Sequence, residues 1–145
     1  MEQKDYLLRE ISKIGIILSA ILSGIFKNRS GLGDLELCIE HEIESAKAEL
    51  LKEVNFDLAI FLDLDTEESN EYIGRFAGFD IKNIELLADC LSEIGCFSDH
   101  LDKSIKYLKK SLQLYNLCNA KCKTYSHARE TNIIAVKNAL QQRGE

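Results

Sequence analysis

The stretch Asp80 to Gly95, DIKNIELLADCLSEIG, followed by Ser98 to Cys122, SDHLDKSIKYLKKSLQLYNLCNAKC, decides the fold. In the first segment Ile84, Leu87, Ala88, Leu91 and Ile94 recur three and four apart, which lines up one face of a helix. Asp80 suits the N-cap, where a carboxylate accepts from free backbone N–H groups, and Gly95 is a candidate stop. In the second segment Leu101, Ile105, Leu108, Leu112, Tyr115 and Cys122 form a stripe interrupted by Asn119, with Ser98 as the cap. The spacing predicts two helices with a tight connection.

The same period extends in both directions. Ile133, Ile134, Val136 and Leu140 place a last helix over about 126–142. Upstream, Asp65 and Glu68 have capping-box spacing, and Glu67 and Glu68 suit the positive end of a helix dipole. Tyr72, Ile73 and Phe76 would be buried there, with Gly78 as the stop. A short apolar piece, Phe56 to Leu64, precedes it. Before that, Leu35, Ile39, Ile43, Ala46, Leu50 and Val54 stripe a helix capped by Asp34. The first helix, about Asp5 to Phe26, carries Leu7, Ile11, Ile14, Leu18, Ile21, Leu22 and Ile25 in register. Leu8, Ile16, Ile17 and Phe26 lie on its other faces, so burial on more than one side is expected.

The chain of 145 residues contains no proline, where about seven would be usual at this length. Proline breaks helix interiors and is used freely in turns and sheet edges. Its absence, with these stripes, gives an all-α expectation: one domain over 1–145 with five to six helices. Residues 1–78 form the N-terminal helices, and 79–145 a helical hairpin plus a terminal helix. The apolar segment Ile14 to Phe26 is shorter than the about 20 residues that cross a bilayer. Glu2, Asp5 and Glu10 offset Lys4, Arg9 and Lys13, which argues against a signal peptide.

Two resemblances follow. Leu87, Ala88 and Leu91, with Ser104, Leu108 and Ser111, resemble the large-small-large and small-large-small contacts of a tetratricopeptide hairpin. The aromatic usual near the start of the first helix is replaced by Ile84, and the closing proline is missing. Counted on from Ala88, the usual small position falls on His100 and not on Ser104. The second helix is also too long, and one such unit is fewer than the about three an array needs. More broadly, Asp5-Tyr6-Leu7-Leu8-Arg9-Glu10-Ile11 before a long apolar helix, together with Asp80 to Gly95, resembles a bacterial family of short all-helical proteins. The C-terminal part of that family is tetratricopeptide-like. The resemblance implies the fold and no activity.

Charge and chemistry narrow the function. The net charge is -6, which disfavours general nucleic-acid binding. Residues 1–98 hold 9 Lys+Arg and 20 Asp+Glu, a net of -11, while 99–145 hold 9 and 4, a net of +5. Five cysteines, an odd number in a chain with core enough to fold, read as reduced thiols of a cytoplasmic protein. Cys118 and Cys122 share a helical face, but no second pair completes a zinc site. Cys38-x-x-His41 reads as an exposed histidine among glutamates, and His100 and His127 read as surface residues. Asp63-x-Asp65-x-Glu67 opens like a calcium loop, but Glu68 and Gly74 occupy its glycine and glutamate positions. Gly31-Leu32-Gly33 lacks the strand and the Gly-Lys-Ser/Thr of a phosphate loop. There is no nucleophile elbow and no zincin motif.

These readings give a non-enzymatic interaction module, with no cofactor, metal, nucleic acid or membrane expected. Gly15, Ser19 and Ser23, small and four apart on the first helix, are the candidate self-association face of a homodimer. Lys103, Lys106 and Lys110 are the candidate docking row for an acidic protein or peptide. The alternative is a small-ligand or metal-binding regulator that uses the cysteines.

Overall fold

Small polar side chains set the geometry. A computed structural model describes residues 2–29 and 35–145. They form α1 (Glu2–Arg29), α2 (Leu35–Val54), α3 (Leu58–Asp63), α4 (Thr66–Gly74), α5 (Ile81–Phe97), α6 (Leu101–Lys121) and α7 (His127–Gln142), with no strand among the described residues. On α6, Ser104, Ser111 and Cys118 recur every seven residues, two helical turns. Each donates to a carbonyl of α5: Ser104 Oγ to Gly95, Ser111 Oγ to Ala88 at 2.8 Å, and Cys118 Sγ to Ile81 at 3.6 Å. The carbonyls step back along α5 by the same seven residues, so the two helices are antiparallel and in register. Gly95 lies inside α5, and a Cβ there would sit 2.8 Å from Leu108 Cγ and 3.1 Å from the Ser104 carbonyl. The backbones approach this closely because the contact carries no bulk.

The opposite face of α5 repeats the arrangement against α1. Asn83 Nδ2 donates to the Ile11 carbonyl at 2.9 Å, and Cys90 Sγ to that of Leu18 at 3.4 Å. Both partners advance by seven, so α1 and α5 are parallel. Helix α2 runs back along α1, as the Lys13–Glu53 pair at 3.8 Å and the packing of Glu42 on Gly24 show. Helix α7 runs back along α6 and parallel to α5. Arg129 near its start holds Glu85 and Asn119, and Arg143 at its end holds Ser104 at 2.7 Å and the Cys96 carbonyl at 3.3 Å. Helix α5 thus touches α1, α2, α6 and α7. Its Ile84, Leu87, Ala88, Leu91 and Ile94 are buried at the centre of one continuous core.

The all-α expectation holds; besides Gly95, which lies inside α5 and does not end it, there are four local corrections. There are seven helices among the described residues because the piece after Asn55 is a helix of its own. Asn55 takes a left-handed conformation (φ 62), and Phe56 N–H bonds back to Leu50 O at 3.1 Å, which closes α2. Asp57 then caps α3. Its aromatic floor is built around Phe56, whose ring centroid lies 4.7–5.4 Å from those of Phe61, Tyr72, Phe76 and Phe79. Gly78 does not end a helix: α4 stops at Gly74, and Gly78 is where α1 presses Glu10 and Ile14 against the chain. Ser98 does not cap α6, whose N-cap is His100.

The fourth correction concerns the buried face of α6. It runs through Ser104, Tyr107, Leu108, Lys110, Ser111, Leu114, Tyr115 and Cys118, while Leu101 is exposed. Asp65 and Asp80 cap their helices as read from the sequence, and Ser126 caps α7. The expected Asp34 cap lies outside the described residues. Gly95→Ala should therefore lower stability by about 2 kcal/mol through overpacking. Gly74→Ala, which meets nothing within 4 Å, should gain about 0.5 kcal/mol from the stiffer unfolded chain. Urea unfolding of the two variants beside the parent measures both.

Candidate functional site

The small-residue face of α1 divides. Gly15 turns toward α5, where Asn83 Oδ1 lies 3.3 Å from the position of a Cβ. Ser19 and Ser23 are exposed. Beside them stand Ile16 at 67% and Leu8 at 54% exposure, with Ser12 and Ala20 between. Helices α2 and α5 cover the remaining sides of α1. Its uncovered flank thus carries Leu8 and Ile16 among small residues, with the exposed Asp5 and Arg9 toward its start and Lys27 toward its end.

The lysine row is largely engaged inside the molecule. Lys110 is 5% exposed, and its ammonium donates to the Leu64 carbonyl at 2.7 Å and to Ser69 Oγ. It also lies 5.0 Å from the Phe61 ring centroid. Burial lowers its pKa, partly opposed by Asp65, and Lys106 adds to the lowering. Lys106 pairs with Asp63, whose carboxyl that bond holds below its usual value. Lys103 lies over the Tyr107 ring at 6.0 Å from its centroid. Lys110 thus joins α6 to the end of α3 and the start of α4, which removes it from any docking surface. The reason is register: Lys110 shares a face with Tyr107 and Leu114. Lys110→Ala should cost about 2 kcal/mol, since it strips a charged donor from two buried acceptors, and Lys103→Ala less than about 1 kcal/mol. Chemical denaturation separates the two.

The cysteines scatter. Cys90 and Cys118 are buried, and burial pushes both thiols up to about 12. Cys96 is exposed, and Cys38 and Cys122 are half-buried. His41, His100 and His127 are all exposed. Among the described residues no three of His, Cys, Asp and Glu gather closely enough to hold a metal ion. A water-soluble thiol reagent should modify Cys38, Cys96 and Cys122 in the native protein. Cys90 and Cys118 should react only at the rate of unfolding, as peptide mapping after timed quenching would show.

One polar group was not foreseen. Between α1, α5 and α7 lies a pocket of about 210 Å³, walled by Leu22 and Phe26, with Asp89, Glu93, Tyr115 and Asn132 around its base. The Tyr115 hydroxyl donates to Asp89 Oδ1, and Asn132 Nδ2 stands 3.5 Å from the same oxygen. Burial raises the pKa of Asp89. The Tyr115 hydrogen bond opposes the rise, and Glu85 and Glu93 add to it. Tyr115 is itself raised, first by burial and then by Asp89. The sequence signal was Asp89 alone between Ala88 and Cys90 on a helix otherwise read for its apolar face. A second, more open groove of about 440 Å³ runs between α4 and α6, where the Gln113 amide donates to the Thr66 carbonyl and Asn70.

No described helix is long and apolar enough to cross a membrane. No known protein family, curated protein or solved structure matches the chain. The family resemblance rests on the quoted segments, and its coarse content, an all-helical chain, agrees with the architecture.

Proposed function

We propose that the protein is a non-enzymatic helical interaction module of the cytoplasm that self-associates through the uncovered flank of α1. The observation that carries this reading is the exposure of Ile16 and Leu8 beside the small residues Ser12, Ser19, Ala20 and Ser23. Large apolar side chains exposed beside small residues are suited to helix-to-helix contact, and apolar patches of this kind mark interfaces. An isologous pairing of two α1 helices would cover it in a closed dimer. Gly15 then acts within the chain, spacing α1 from α5, while Ser19 and Ser23 act between chains.

The order of helices supports the finer, tetratricopeptide-like reading. The pairs α1–α2 and α5–α6 are antiparallel hairpins, α1, α5 and α7 run the same way, and each contacts the next. Stacks of this kind present extended surfaces to partners. A docking row for an acidic partner would be left with Lys103 and the ion-paired Lys106. The metal-binding alternative is weakened by the burial of Cys90 and Cys118, because a ligating thiol must be deprotonated.

Light scattering coupled to size exclusion tests the proposal. The parent should run at twice 16.4 kDa, and Ser19→Glu, which puts a charge into the apolar contact, should run as a monomer with unchanged helicity. A monomeric parent, or a variant of the parent's mass, would refute self-association through this flank.

A further inference from the structure

We draw no further inference here: the strongest candidate, the groove of about 440 Å³ between α4 and α6 where Leu112 and Leu117 lie beside the amides of Asn70, Gln113 and Asn116, is open to solvent, and nothing in the structure shows what covers it.

Discussion

Three small side chains, donating from α6 to carbonyls of α5 at every second turn, hold the two helices in close antiparallel contact. Most of the remaining packing depends on it. The contact presses Leu108 against Gly95 and leaves the flanks of α5 free for α1 and α7. A hydroxyl that reaches a buried carbonyl satisfies itself in place of water, which is how serine comes to lie at the centre of a core. Ser104 serves twice, since it also accepts from Arg143 and thereby ties the end of α7 to the α5–α6 turn.

The uneven charge of the chain has an internal counterpart. Cations of the basic C-terminal part meet acids or carbonyls of the acidic N-terminal part: Lys106 at Asp63, Lys110 at Leu64 and Ser69, Arg129 at Glu85. The Arg129–Glu85 pair is the more buried of the two ion pairs, and it orients α7 on α5. Part of the division between -11 and +5 is complementarity across the fold. Asp89 of α5 is held instead by neutral groups, the Tyr115 hydroxyl and the Asn132 amide.

The fold class was legible because apolar residues recur at helical spacing and because proline is absent. Helix starts at Asp65 and Asp80 were legible because a side-chain acceptor at that position has a local reason to be there. The apolar stripe drawn on α6 missed part of its buried face because it ran through Leu101 and Leu112, whereas the residues of the hairpin pattern, Ser104, Leu108 and Ser111, are the ones in contact with α5. Gly95 looked like a stop for the same reason, since a glycine required by close approach is locally identical to one that ends a helix. The site was less legible still. Lys110 looked like one of a surface row until tertiary packing turned it inward, and Asp89 gains meaning only from Tyr115 and Asn132, far along the chain.

Native-state hydrogen exchange tests most directly the claim that the α5–α6 contact organises the fold. The account predicts that the amides of Leu87 to Leu91 and of Leu108 to Leu114 exchange most slowly, at the rate set by global unfolding. Amides of α1 or α7 exchanging more slowly than these would contradict it, and would place the organising contact elsewhere.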